Sequence, residues 1–393
     1  MLGSPIDDIK ARLDIVEVIG SYVKVQKCGA NFRARCPFHS EKKPSFFISP
    51  ARQIWHCFGC GKGGDIFGFV KEIERIEFGD ALKILAQKAG IQLKAIKPEL
   101  KTERQNLYEI SELACKFFEK QLEGNNAGQA VKKYLKGRTI SEDSIKKWRL
   151  GYSPDNFRGL SDFLISQGFK LKEIVKAGLA IENERGNYYD RFQSRIMFPV
   201  FDFNSQVIGF GGRIFGLKAK DEIAKYVNTP ATLLYDKSQV LYGLDRAKVE
   251  ARRRDSIILV EGYTDCILSH QAGHENTVAA SGTALTHSHL NILKRYSENL
   301  ILSFDMDLAG DTATKRGIDL AQGLDFNIKV ITAPQDMDPA DVISKNPEEW
   351  GKLIGQAKSI MDFYFDSTLS KFDKNSPEGK KEISKILLPV IKR

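Results

Sequence analysis

Cys36, His39, Cys57 and Cys60 form two pairs in the stretch CPFHSEKKPSFFISPARQIWHCFGC, each pair with two residues between its members. So short a gap lets both members reach one ion from a single tight turn, and the 17 residues from 40 to 56 suffice for a hairpin that brings the two turns together. The pattern predicts one closed, four-coordinate Cys3His zinc site. With no position left for water the zinc is structural, and catalysis belongs elsewhere. The competing reading, four unrelated side chains, leaves the spacing unexplained. His56, beside Cys57, points to the opposite face if the segment is extended. Cys28, Cys115 and Cys266 lack paired spacing and read as free thiols of a reducing compartment.

A second group of chemically able residues lies in the last third. Three apolar runs end on acids: SIILV at Glu261, NLILSF at Asp305 with Asp307 two positions on, and FNIKVITA shortly before Asp336, Asp338 and Asp341. Ligands of open α/β sheets bind beyond the carboxyl ends of the strands, so these acids should converge on one crevice. Carboxylates gathered there repel unless cations neutralise them, and hard divalent ions, chiefly Mg2+, take oxygen ligands. The plainer reading makes each acid a helix N-cap after its strand, which suits Asp265 or Asp311. Three strand ends in one sheet favour the metal crevice. Gly262 and Gly282 would let a phosphate approach the backbone.

The elements that position these groups follow from pattern. SFFIS and QIWHCF read as two strands joined by a turn at Pro50, flanked by the helical stretches LDIVEVIGSYV and DIFGFVKEIERI, the latter N-capped by Asp65. Residues 1–95 therefore read as a zinc-ribbon domain, and the charged stretch 96–104 as an exposed tether. Residues 105–245 mix helical periodicity with strands such as RIMFPVFDF and QVIGFGGRIFG, a mixed α+β subdomain. Over 246–340 strand and helix alternate, as in a parallel sheet flanked by helices. Residues 341–393 read as helical and, with no closing signal in LLPVIKR, as incomplete. A hydrophobic content of 42% suits a globular chain, and the absence of a long apolar run or signal peptide predicts a soluble cytoplasmic protein with no membrane partner. The net charge of +9 favours a polyanionic partner.

EGYTD at 261–265 followed by SFDMDLAGDTA at 303–313 resembles the Toprim signature of primases, topoisomerases and some nucleases. DIVEVIGSYVKV, CPFHSEKKPSF and HCFGCGKGGD resemble the zinc-binding domain of bacterial DnaG-type DNA primases, and RFQSRIMFPV, VIGFGGR, KYVNTP and LYGL resemble the first half of that family's RNA polymerase domain. The resemblance implies a multidomain α+β chain: zinc ribbon, mixed α+β subdomain, Toprim-type α/β sheet and helical segment. It implies zinc on Cys36, His39, Cys57 and Cys60, and catalytic Mg2+ or Mn2+ held by Glu261, Asp305 and Asp307 with Asp265 and Asp338 as further contributors. The family's last motif is often Asp-Pro-Asp, whereas here Asp338, Pro339 and Ala340 precede Asp341. Arg138, Arg195, Arg213, Lys225 and Lys237 match basic groups along the family's template and nucleotide path. The implied activity is synthesis of short RNA primers on single-stranded DNA from nucleoside triphosphates. The replicative helicase is the implied partner of the full-length protein, with a single-strand binding protein as a further candidate.

Aromatic rings on the ribbon, Phe46, Phe47, Trp55 and Phe58, with Lys42, Lys43, Arg52 and Lys62 nearby, offer stacking plus charge for a single strand; alternation sends about half of the rings inward. Phe46, Trp55 and Phe58 are taken as binding candidates. Two other enzymes and an adaptor compete. A topoisomerase needs a nucleophilic tyrosine, which neither Tyr263 nor Tyr296 resembles; a nuclease would cut DNA without incorporating nucleotides; a non-catalytic single-strand adaptor needs no acidic crevice.

Overall fold

The computed structural model describes residues 5–39, 41, 43–74, 76, 78–91, 102–124, 126–216, 224–303, 312–334 and 337–391. The chain divides into two compact units, 1–105 and 106–393. Among the described residues no helix is long and apolar enough to cross a membrane.

The first unit contains α1 (Pro5–Arg12), α2 (Ile15–Gly20), β1 (Gln26–Cys28), β2 (Asn31–Ala34), β3 (Phe46–Ser49), β4 (Ile54–Cys57), β5 (Gly63–Gly64), α3 (Ile66–Glu74) and α4 (Phe78–Lys88). The five strands form one antiparallel sheet in sequence order. The hairpin read from sequence is its centre; β1, β2 and β5 are too short to announce themselves. Alternation decides the faces. Ile48 and Trp55 pair across β3 and β4 on the inner face, and Phe46 stacks on Trp55 at 5.0 Å, with Phe69 of α3 edge-on to both. Asp65 caps α3 as its sequence predicts, its Oδ1 accepting from the Gly68 amide at 2.9 Å.

The second unit begins with α5 (Glu103–Gly124), α6 (Asn126–Gly137), α7 (Glu142–Lys147), β6 (Gly151–Ser153), α8 (Gly159–Ser166), α9 (Leu171–Lys176), β7 (Ala180–Glu182), β8 (Tyr188–Asp190), β9 (Arg195–Phe201), β10 (Val207–Ile214) and β11 (Tyr226–Asn228). Glu103 and Arg104, assigned to the tether from sequence, belong to α5, while 96–101 lie outside the described residues. The sheet runs β11-β10-β9-β6, all antiparallel. Every residue of β9 is buried because both faces are covered: Ile196, Phe198 and Val200 join one core, and Met197 the other.

The remainder comprises α10 (Leu244–Arg253), β12 (Ile257–Val260), α11 (Tyr263–Gln271), β13 (Thr277–Ala279), α12 (His287–Leu293), β14 (Asn299–Ser303), α13 (Thr312–Gly323), β15 (Asn327–Val330), α14 (Pro339–Lys345), α15 (Pro347–Gly355), β16 (Lys358–Ser359), α16 (Ile360–Lys371) and α17 (Pro377–Ile391). The expected parallel sheet is present in the order β13-β12-β14-β15, with β16 added antiparallel at the edge. The boundary drawn at 340 therefore needs correction. It cuts α14, and the segment read as purely helical supplies a strand whose short length hides it from pattern. Ile360, Phe363 and Tyr364 of α16 share a core with Ile328 and Val330. The four-stranded and five-stranded sheets of this unit are joined through another core, where Phe198 of β9 stacks on Tyr263 of α11 at 5.0 Å.

β6 lies so close to α5 that only glycine fits at 151: a Cβ there would stand 2.5 Å from Phe118 Cβ and 2.7 Å from the Phe118 carbonyl carbon. Gly151→Ala is expected to destabilise the second unit by about 1–3 kcal/mol through overpacking. Thermal denaturation monitored by circular dichroism would show this as a lower melting temperature.

Candidate metal centre and active crevice

The four predicted zinc ligands meet. Cys36 Sγ and Cys60 Sγ are 3.8 Å apart, Cys57 Sγ and His39 Nδ1 are 3.8 Å apart, and all four donor atoms lie within 4.8 Å of one another. A tetrahedron with Zn–S bonds of about 2.3 Å has edges of roughly 3.8 Å, so the donor set fits zinc in size as well as chemistry. Cys36 lies before the hairpin and Cys57 ends β4, both buried, while Cys60 faces solvent. Burial pushes the free Cys36 thiol up, so its thiolate form needs the charge of a metal. His56 is exposed on the opposite face from Cys57, as its position predicts.

Glu41 was not singled out in the sequence, yet it organises this centre. One carboxylate oxygen faces His39 Nε2 at 3.2 Å, leaving Nδ1 for the metal. The other accepts from the Cys36 amide at 2.6 Å and the Ser45 amide at 3.0 Å, and the Ser45 hydroxyl also donates to the carboxylate. Partial burial pushes the Glu41 carboxyl up, but these hydrogen bonds, led by the Ser45 hydroxyl, hold it below the ordinary carboxylate value. A carboxylate behind a metal-bound histidine fixes the ring and its tautomer. Within the charged run SEKKPS the residue looks like a solvated glutamate; a carboxylate two positions after the histidine is the signal that could have found it.

In the second unit acids gather at strand ends. Val260 pairs with Ser303, so β12 and β14 end side by side with Glu261 directly after β12; Asp305, Asp307 and Asp336 lie outside the described residues. Glu261 is exposed, and its carbonyl accepts from the Ser281 amide at 2.9 Å. Asp265 is buried in the first turn of α11, where its carboxylate accepts from the Gly262 amide at 2.9 Å and, with its other oxygen, from the Ala340 amide at 3.2 Å. Burial, then the Asp338 carboxylate, with a smaller contribution from Glu261, pushes Asp265 up to about 7 despite both amides. Asp338 caps α14, accepting from the Asp341 amide at 2.7 Å. Asp341 itself faces Arg138 at 3.7 Å. Carboxylate oxygens at these strand ends are the donor type that suits a hard divalent cation.

Three family models match the chain in order: a CHC2 zinc finger over residues 2–101, the DNA primase catalytic core N-terminal domain over 117–248, and a Toprim-like domain over 258–343. The solved zinc-binding and RNA polymerase domains of the Aquifex aeolicus primase are 32% identical with a TM-score of 0.63, covering 97% of this chain and 91% of that one. The chain belongs to the bacterial DnaG-type primase family. A curated DNA primase of Clostridium acetobutylicum is 38% identical over 391 residues, 97% of this chain and 64% of that protein, so the chain spans just under two thirds of this relative's length. The RNA polymerase domain of Mycobacterium tuberculosis primase DnaG, solved with double-stranded DNA bearing a 6-nucleotide overhang, is 30% identical with a TM-score of 0.65, covering 75% of this chain and 93% of that one.

The basic groups that the DnaG likeness suggests divide by what holds them. Arg213 lies on β10 with its guanidinium 5.0 Å from the Tyr134 ring centroid, and Lys225, just before β11, is exposed. Lys237 donates from Nζ to the Gly282 carbonyl at 3.0 Å, beside the Glu261 strand end. Arg195 requires correction. It is only 5% exposed, and its guanidinium donates to the carbonyls of Gly212 at 3.0 Å, Ala224 at 3.1 Å and Lys225 at 3.4 Å, so it ties the approach to β11 instead of gripping a phosphate. Phe46 and Trp55 are corrected too: at 0% and 2% exposure they are core, whereas Phe58 is 73% exposed. Phe58 packs edge-on against Phe47 and His56, and the cross-strand row Arg33, Phe47, His56 lies on the same outer face. Lys42 lies outside the described residues. Tyr263 and Tyr296 are both buried, which leaves neither placed as a nucleophile.

Two outcomes follow from these contacts. Glu41→Ala is expected to weaken zinc binding by about 10–100-fold, the usual effect of removing a carboxylate behind a ligating histidine, in competition titrations against a chromophoric chelator. Arg195→Lys is expected to destabilise the second unit by about 1–3 kcal/mol in urea titrations, because one ammonium cannot reproduce the planar fork and buried carbonyls lose their donors.

Proposed function

We propose that the chain is the primer-making part of a DNA primase: it starts RNA de novo on single-stranded DNA, joining nucleoside triphosphates without a pre-existing end. The observation that carries this reading is that Lys237 and Asn228, from the subdomain whose β10–β11 edge carries Arg213 and Lys225, hydrogen-bond to the Ser281–Gly282 loop beside the acidic strand end at Glu261. An acidic site alone suits several Toprim activities; an acidic strand end tied to a basic edge suits polymerisation.

Glu261, Asp265 and Asp338, with Asp305 and Asp307 between them in sequence, are the residues that would hold Mg2+ or Mn2+. Bound there, the metal would lower the pKa of the attacking hydroxyl and neutralise charge on the triphosphate and departing pyrophosphate. The 3′ oxygen of one nucleotide forms a bond to the α-phosphorus of the next, the bond to pyrophosphate breaks, and the hydroxyl proton passes to solvent. Lys225 and Arg213 orient the triphosphate, and Lys237 steadies the loop beside Glu261. On the zinc unit, the outer row of Arg33, Phe47 and His56 with Phe58 stacks and neutralises a template strand, and the zinc is its scaffold. The likeness to DNA-bound DnaG structures supports the template; the replicative helicase and a single-strand binding protein are partners the family likeness suggests, and no described residue is assigned to them.

The test is incorporation of labelled ribonucleotides on unprimed single-stranded DNA with Mg2+ or Mn2+. Wild type should yield short RNA, and Glu261→Ala should lower the yield at least ~10²-fold, the scale for losing a principal stabiliser of transition-state charge, while binding the template as before. RNA yield unchanged in Glu261→Ala, or DNA cleavage in place of synthesis, would reject this assignment in favour of an adaptor or a nuclease.

A further inference from the structure

The basic edge formed by β10 and β11 and the acidic end of β12 belong to different sheets, so a nucleotide that touches both needs their spacing held closely. The Asn228 side chain joins them. Asn228 ends β11, three residues after Lys225 and opposite Gly211 of β10. Its Oδ1 accepts from the Tyr263 hydroxyl at 2.8 Å, and its Nδ2 donates to the Ser281 carbonyl at 3.0 Å. Tyr263 follows Glu261 by two residues, and the Ser281 amide donates to the Glu261 carbonyl at 2.9 Å. Asn228 thus touches both flanks of the Glu261 strand end, the helix after it and the loop beside it.

The surroundings leave Tyr263 one position. Its ring stacks on Phe198 at 5.0 Å and meets Tyr242 edge-on at 4.7 Å. It also lies against the backbone of β10 at Gly211, where a Cβ would stand 2.3 Å from Tyr263 Cζ. A second tie from the same subdomain, Lys237, reaches the next carbonyl along, so both ties land on the left-handed pair Ser281 (φ 54°) and Gly282 (φ 75°). A side-chain amide offers, from two different atoms, an acceptor to the hydroxyl and a donor to the carbonyl at once.

We propose that Asn228 is a positioning residue: its side-chain amide is a strut that sets the spacing between the β11 edge and the Glu261 strand end, and through that spacing the affinity of the crevice for a nucleoside triphosphate. The choice of ligand rests on the primase reading; the strut itself does not.

Tyr263→Phe removes one hydroxyl and keeps the ring, while Asn228→Asp keeps the acceptor and replaces the donor with a carboxylate facing the Ser281 carbonyl. Both variants and their combination are compared with the wild-type chain for ATP affinity in Mn2+, Mn2+ affinity alone, and backbone amide hydrogen exchange. Each single variant is expected to weaken ATP binding roughly tenfold and the pair little more than the worse of the two, as for residues sharing one contact. Mn2+ affinity without nucleotide should stay within about twofold, because the strut acts on spacing and not on the acids. Exchange should rise at 226–228 and 281–283 alone. ATP affinity unchanged in both singles, fully multiplicative effects, or exchange rising throughout the second unit would overturn the strut. If wild type binds no ATP, it is the primase reading that fails; the strut then stands on a local rise in exchange and falls without one.

Discussion

Like charges gathered at the end of a parallel sheet repel, and the second unit is arranged around that fact. At an effective dielectric near 20, two carboxylates 4–6 Å apart cost each other about 3–4 kcal/mol. Asp265 carries the clearest mark of it, pushed up to about 7 by burial and by its acidic neighbours. What keeps the group in place is the backbone: amides of Gly262 and Ala340, at the starts of α11 and α14, each donate to the Asp265 carboxylate. Two helix N-termini thus converge on one buried acid and lend it their partial positive charge. On the proposed reading, a divalent cation and the neighbouring subdomain would supply further positive charge.

That neighbour can do so only if the two sheets behave as one body. β9 provides the means, being buried on both faces, with Phe198 turned toward Tyr263 and Val260 and Met197 turned toward the core beneath α5. A strand covered on both sides cannot carry a solvated arginine inward, so Arg195 spends its donors on the carbonyls of Gly212, Ala224 and Lys225. Its charge is internal bracing for the edge that Lys225 and Tyr226 occupy, the edge whose Arg213 and Lys225 are proposed to meet a phosphate. The division of labour among arginines is set by burial, not by their shared chemistry.

The residues differ in how far their roles could be read without coordinates. The zinc ligands were legible because paired spacing is a local geometric constraint, and the parallel sheet because strand and helix alternate with short connections. The inward or outward sense of a ring was not. Period-two alternation separates Trp55 from His56, but which of them meets the core depends on where α3 places Phe69, a non-local matter. Arg195 sits in a run that reads as strand, and only its burial on both faces reveals the arginine as structural. Glu41 hid in a charged stretch because its partners, the Cys36 amide, His39 and Ser45, come together only when the knuckle closes. β16 was lost because two residues carry no periodicity at all.

The two units also rest on different sources of stability, and this determines what each can lose. A unit of 105 residues with a thin five-stranded sheet buries a smaller share of its surface than a larger domain does, which is where a metal staple matters most. Its aromatic cluster of Phe46, Trp55 and Phe69 sits on the inner face, and the cysteine that ends β4 alternates onto that same face next to it. Closing the zinc site and closing this core are therefore one event, coupled through Cys57, with binding energies of roughly 10–16 kcal/mol for structural zinc in small fingers comparable to the whole stability of a domain. The second unit has hydrophobic cores of its own, and among the described residues the Cys3His group of the first unit is the one cluster of metal-ligating side chains. On the proposed reading, removing zinc would then dissolve the outer row of Arg33, Phe47 and His56 while leaving the residues at the Glu261 strand end in place, so that template recognition and chemistry are separable by metal alone.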